Sequence, residues 1–373
     1  VIVSGRPYQI ASTMSNIFNF SAGPSSLPPS VMERARQEFR DYGGLGVSVM
    51  EISHRSHEFL QIAERAEADL RELLDLNDDY YVLFLHGGAS MQFAMVPLNL
   101  AGISDTADYV DTGSWSTKAI TEAKRLTRVN IAATSRDHDY DRVPGFRDWR
   151  LSKSARYVHL TSNETIGGVQ FHEFPDTGDV PLVADMSSDF LSRPVDAHRF
   201  GLIYAGAQKN VGPAGLCIVV IRKDLCGKDR EHTPSLLSYG VLAQHKSMFN
   251  TPPTYNWYLA SLVLDWLKRE GGLQAMEIRN RRKAEKLYAA IDRSDLYHSP
   301  VQRSHRSIMN VPFTLSESKL EDRFLEVAKT RGLLNLKGHR SVGGMRASLY
   351  NAIDEDAVDA LIEHMESFEK ATR

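Results

Sequence analysis

Asp185 and Lys209 each stand where a short apolar run ends. Val180 to Ala184 reads as a buried strand that delivers Asp185 at its tip, because a continuous apolar run closed by turn residues suits a parallel strand covered on both faces. Leu202 to Ala207 reads as a second strand, and Lys209 follows on a tight turn with Gly212, Pro213 and Gly215 behind it. An amine and a carboxylate brought to one cleft are what pyridoxal phosphate chemistry takes from its protein. The amine links covalently to the cofactor's aldehyde, and the carboxylate keeps the pyridine nitrogen protonated so that the ring accepts electrons from a carbanion. Each residue also has a plainer use: a strand-end aspartate often caps a helix, and a lysine after a strand is usually a solvated charge. The Gly-Pro-Ala-Gly run after Val211 favours the chemical use, since backbone packed against a flat cofactor needs small residues.

Other stretches supply groups for an anionic guest. Tyr80 to His86 reads as a strand, Gly87-Gly88 turns the chain, and a helix begins at Ala89-Ser90. Free N–H groups and the positive end of a helix dipole then point at one spot, a cup for phosphate, although this pattern also occurs for topological reasons alone. His54 and Arg55 lie on a glycine-broken loop, where they either hold an anion or form an exposed charge pair. Trp115, on the loop opening the helix after strand Ala107 to Asp111, either stacks on a pyridine ring or packs in the core. Thr165 follows strand Arg156 to Thr161 at the same kind of strand end as Asp185. Leu336 to Ser348 reads as a loop in which Arg340 and Arg346 sit among glycines and serines, and an arginine fork meets carboxylate or phosphate with two hydrogen bonds. Met248 to Thr254 is a rigid polar loop.

These residues need a scaffold, and the repeated strand and helix alternation predicts an α/β fold with an open, mainly parallel sheet whose sites gather at the strand ends. The sequence divides into 1–13, an expression leader or disordered tail; 14–28, an N-terminal arm joining the small domain; 29–272, a large cofactor-binding domain; and 273–373, a smaller α+β domain. At 373 residues, 42% hydrophobic and 24% charged, the chain has the composition of a globular protein. A formal net charge of −3 argues against nucleic acid as a partner. No apolar run reaches the roughly 18 residues of a membrane helix. Two cysteines, Cys217 and Cys226, make neither a disulfide framework nor a thiolate metal site, no metal centre is expected, and a reducing cytoplasm fits.

NFSAGPSSLP (19–28), SHRS (53–56), AQKNVGPAG (207–215), FNTPPT (249–254) and KGHRSVGGMRASLYNA (337–352) together resemble the phosphoserine aminotransferase family, from about Ile17 to the final helix. The resemblance implies the pyridoxal phosphate aminotransferase fold, with a seven-stranded type of sheet, in a homodimer whose sites borrow residues across the interface. It implies that Lys209 carries the cofactor, Asp185 holds the pyridine nitrogen, Trp115 stacks on the ring, and Thr165 and Gln208 touch the cofactor. Ala89 and Ser90 would take the cofactor phosphate, joined by Asn250 and Thr251 of the neighbouring subunit. His54, Arg55, His339 and Arg340 match the group that receives the substrate's distal anion, and Arg346 matches the residue that grips its α-carboxylate. Some members have Gly-Arg where this chain has Ala89-Ser90, so backbone N–H groups and the Ser90 hydroxyl would replace a guanidinium. The implied reaction passes an amino group between O-phosphoserine with 2-oxoglutarate and 3-phosphooxypyruvate with glutamate. Some bacterial members also take 4-phosphohydroxythreonine in pyridoxine synthesis.

Rival readings are another aminotransferase of this fold acting on a different anionic amino acid, a cysteine desulfurase, a dehydrogenase and a non-catalytic binding protein. Neither cysteine suits a mobile catalytic thiol, and no G-x-G-x-x-G string is present.

Overall fold

In the computed structural model, residues 17–372 are described; the expectation for residues 1–13 lies outside them. The arm starts with β1 (Phe18–Asn19) and leads to α1 (Pro29–Gln37), which opens on proline because the missing N–H would be unpaired there anyway. Next come α2 (His57–Leu73), β2 (Tyr80–His86), α3 (Gly88–Leu100), β3 (Thr106–Asp111), α4 (Ser114–Ala123) and β4 (Arg128–Thr134). The chain continues through β5 (Ala155–Thr161), β6 (Leu182–Asp185), β7 (Leu202–Gly206), β8 (Leu216–Arg222), α5 (Tyr239–Gln244), α6 (Thr254–Arg269) and α7 (Gly272–Arg293). The last part holds β9 (Tyr297–His298), β10 (Asn310–Leu315), α8 (Glu321–Thr330), β11 (Leu333–Leu334), β12 (Met345–Ser348) and α9 (Glu355–Thr372).

The central sheet has seven strands in the order β2-β8-β7-β6-β5-β3-β4. All its pairs are parallel except the two made by β8, so the sheet is mainly parallel. β6, β7 and β8 are largely apolar because both faces are covered, and alternate residues choose between the covers. Ile203 and Ala205 of β7 join Phe59 and Ile62 of α2 and Trp257 and Val263 of α6, while Leu202 and Tyr204 join Phe93 of α3 and Ile120 of α4. Parallel strands all present their C-terminal ends at one edge, and register sets Thr161 opposite Asp185 and Asp185 opposite Tyr204.

A separate core forms where Leu287 of α7, Val311 and Phe313 of β10, Phe324 of α8 and Leu361 of α9 pack together around the antiparallel sheet β12-β10-β9. The arm belongs to this part: β1 pairs with β11, and Phe20 is buried in the same core.

One expectation needs correction. The segment 336–348 is not all loop, since Met345–Ser348 pairs with β10 and sets Arg346 opposite Pro312. β4, not singled out in the sequence, is an edge strand in which only Ala132 is buried. Among the described residues, no helix is long and apolar enough to cross a membrane.

Candidate active site

The cavity at the C-terminal edge of the sheet is lined by residues from several strand ends, among them Ser90, Trp115, Thr165, Asp185, Gln208 and Lys209. Lys209 is only 8% exposed, and its Nζ donates to Thr165 Oγ1 at 2.6 Å. Burial pulls the amine down to about 8; the negative charges of Asp185 and Glu164 oppose that pull, and Arg346 adds to it. An amine so placed is free base to about a tenth at pH 7, far more than an ordinary lysine, which suits a nucleophile and proton carrier.

Local hydrogen bonds fix this lysine. Val211 N and Gly212 N both donate to Ala207 O, closing the turn that carries it. Asn210 Nδ2 donates to Phe190 O at 3.0 Å and its Oδ1 accepts from Asn351 N at 3.0 Å, tying the turn to the second core. On the other side, Ser25 N donates to Gln208 O and Ser25 Oγ to Lys209 O, so the N-terminal arm lies across the lysine. Gly215, at φ +98°, lines the cavity, whereas a Cβ on Gly212 would touch Ala260 of α6 at 3.4 Å. Only one of these glycines therefore serves the cleft, and the other lets α6 approach.

Asp185 is 4% exposed, and its Oδ1 accepts from Ser187 N at 2.9 Å and from Ser187 Oγ at 2.6 Å. Ser187 Oγ in turn accepts from Gly206 N at 3.1 Å, so the end of β7 orients the carboxylate. Burial pushes this carboxyl up, against the pull of Ser187 and Lys209. The Asp-x-Ser spacing is the sequence signal that would have found Ser187, since an aspartate commonly bonds the backbone two residues on.

At the opposite wall, Gly87 takes φ +85° and opens α3 with no side-chain cap, which leaves the N–H groups of its first turn directed outward beside Ala89 and Ser90. Ser90 is exposed. Trp115 begins α4 half-buried, with Lys209 Nζ 5.4 Å from its ring centroid and Lys118 Nζ 4.1 Å from it. Glu164, fully buried, accepts hydrogen bonds from Trp115 N, Ser116 N and Ser116 Oγ, each at 2.9 Å. Three buried polar atoms of the lining have no partner in the protein: Trp115 Nε1, Thr161 Oγ1 and Asn163 Oδ1. Buried polar groups are normally paired, so the cavity is built for a polar guest.

Arg346 is half-buried on β12, and its Nη1 donates to Thr165 O at 3.4 Å. Burial lowers its guanidinium's affinity for the proton. His339 is held down by burial and then by Arg346, Lys118 and Arg340, a mutual repulsion that marks a positive field over the cavity mouth. Lys118 was not singled out from sequence; its i, i+3 relation to Trp115 on one helix face was the available signal. The remaining candidates are placed elsewhere: His54, Arg55, Asn250 and Thr251 do not line this cavity, and Arg55, Asn250 and Thr251 are exposed.

Residues 17–361 match the class-V aminotransferase family. The chain is 59% identical to a phosphoserine aminotransferase of Pseudomonas paraeruginosa over 353 residues, which cover 95% of this chain and 98% of that one. Among solved structures it is similar to phosphoserine aminotransferase from Bacillus circulans subsp. alkalophilus, with a TM-score of 0.95, 46% identity, and 96% and 100% of the two chains covered. It is also similar to the phosphoserine aminotransferase of Trichomonas vaginalis solved with bound pyridoxal phosphate, with a TM-score of 0.90, 39% identity, and 94% and 100% covered.

Proposed function

The chain belongs to the class-V aminotransferase family, and on that premise we propose that it is a phosphoserine aminotransferase working with pyridoxal phosphate. It exchanges the amino group between O-phosphoserine with 2-oxoglutarate and 3-phosphooxypyruvate with glutamate. The observation that carries the reading is one cavity with a buried Lys209 beside a buried Asp185 under an excess of cations. Among the described residues, no carboxylate pairs with Lys118, Arg340 or Arg346.

The lining fits the cofactor. Asp185, oriented by Ser187, would hold the pyridine nitrogen; Trp115 would cover the ring; Thr165 and Gln208 would contact it; and the open first turn of α3 at Ala89 and Ser90 would take its phosphate. When bound, pyridoxal phosphate supplies the electron sink that stabilises a carbanion at the substrate's Cα. Lys209 would act as the proton carrier, its buried amine placed to take the substrate's Cα proton and to give it back. Arg346 grips the α-carboxylate and fixes the Cα–H bond for that transfer. His54, Arg55, His339 and Arg340 receive the distal anion, either phosphate or the far carboxylate of glutamate.

The same reading makes the protein a cytoplasmic homodimer. Asn250 and Thr251 lie exposed outside their own chain's cavity, next to Phe249, which is 42% exposed; in the dimer they reach the cofactor phosphate of the partner subunit. The division into a large and a small domain near residue 272 belongs to the same reading; α7 bridges the two, with Leu273 and Met276 in the core under the large sheet and Leu287 and Ile291 in the second core.

Arg340 tests the substrate assignment. It is exposed in the single chain, so its contribution is that of a charge-assisted hydrogen bond rather than of a fully buried ion pair. Arg340→Ala is expected to lower kcat/KM for phosphoserine by roughly ten- to a hundredfold while visible absorbance is unchanged. A change under about threefold, the size of a surface-charge effect, contradicts its role.

A further inference from the structure

Glu164 is a fully buried carboxylate behind the cavity wall, between Asn163 and Thr165, which line it, and among the described residues it forms no ion pair. Both of its oxygens are committed to the first turn of α4, Oε2 to Trp115 N and Oε1 to Ser116 N and Oγ. A helix start needs such an acceptor, and a negative charge there is favoured by the unpaired N–H groups and the dipole. The usual solution is a serine, threonine, aspartate or asparagine at the N-cap itself. Here the N-cap is Gly113, and a Cβ at that position would lie 2.7 Å from the Glu164 carboxyl carbon. Ser116 Oγ caps Thr112 N and Gly113 N locally, but the N–H groups of Trp115 and Ser116 are left to Glu164, a remote cap. That remote cap comes from the loop whose next residue, Thr165, accepts the Lys209 hydrogen bond at 2.6 Å. One side chain thus joins the wall carrying Trp115 to the wall carrying the amine.

We infer that Glu164 is a positioning residue: it sets the gap between the Trp115 ring and the Lys209 amine, and its carboxylate, held by three donors, adds to the negative field of Asp185 at that amine. The inference rests on reading the cavity as the pyridoxal phosphate site. The charged groups facing the amine are Asp185 at the end of β6, Glu164 on the loop after β5, Arg346 on β12 and Asp189 on the loop after β6. Neutralising Glu164 removes negative charge, so the protonated form of the lysine linkage is disfavoured and its titration moves to lower pH.

The test uses two holoenzyme variants. Glu164→Gln keeps the shape, replaces one acceptor oxygen with a donor and removes the charge. Gly113→Ala keeps the charge and displaces the carboxylate. Glu164→Gln is expected to reduce kcat for phosphoserine by roughly ten- to a hundredfold, with KM changed less than about threefold because the cations are untouched. The pH midpoint of its visible absorbance should fall by roughly half a unit or more, and its cofactor should be lost faster on dialysis. Gly113→Ala should lower kcat while moving the midpoint less than Glu164→Gln does, because the charge is displaced and not removed. A Glu164→Gln enzyme with wild-type midpoint and kcat overturns the inference, and so does a Gly113→Ala enzyme with wild-type kcat. A wild-type protein with no visible absorbance overturns the reading of the cavity instead.

Discussion

Lys209→Ala protein loses the absorbance band of the lysine-linked cofactor, retains its fold, and transfers amino groups at less than about a thousandth of the wild-type rate. That band requires the covalent link to the Lys209 amine, and turnover requires that same amine as proton carrier, so one truncation removes both. The fold survives because the deleted group is a desolvated amine beside an open cavity, and its one side-chain hydrogen bond is to Thr165. The turn itself is held by backbone bonds to Ala207 and by Asn210, which remain. The wild-type apo-protein should also take up cofactor faster as pH rises through about 8, since the lysine's lowered affinity for its proton frees the nucleophile there. Absorbance spectra, stopped assays and thermal unfolding of the two proteins check this. Full activity in the alanine variant would remove Lys209 from the mechanism.

Activity also returns from two inactive proteins. Subunits carrying Lys209→Ala supply an intact 249–254 loop, and subunits carrying Asn250→Ala with Thr251→Ala supply an intact lysine. If the loop serves the partner's cofactor phosphate, each heterodimer holds one complete site, so about half the wild-type activity per heterodimer appears on mixing. The loop's exposed Asn250 and Thr251, absent from the lining of its own chain's cavity, motivate the experiment. Neither homodimer should show more than a trace. A confirmed heterodimer with no activity would mean that the loop acts within its own chain.

Parts of this arrangement were legible because burial on both faces writes itself into sequence. β2, β6 and β7 are continuous apolar runs, and Asp185 and Lys209 sit where those runs stop. β4 was silent for the opposite reason, being an exposed edge. β12 was hidden in a glycine-rich segment, since four residues interrupted by Arg346 carry no period, and only pairing with β10 makes them a strand. Glu164 was passed over because its partners at Trp115 and Ser116 come from a different strand-to-helix turn, and no local pattern announces a cap delivered across a cleft. Glycine at 113 is a signal only once the neighbour is known. The cations were readable as residue types, and the family resemblance supplied their roles, but the single chain gathers only His339, Arg340 and Arg346 together with Lys118.

The central claim is that this cleft moves an amino group from a phosphorylated amino acid, and one titration addresses it directly. O-phosphoserine added without a keto acid should abolish the visible absorbance of the holoenzyme and release one 3-phosphooxypyruvate per active site; 2-oxoglutarate should then restore the absorbance with formation of glutamate. Serine at the same concentration should leave the spectrum unchanged, because it would leave the phosphate-binding cations unpaired. Equal response to serine and phosphoserine, or none to phosphoserine, contradicts the account.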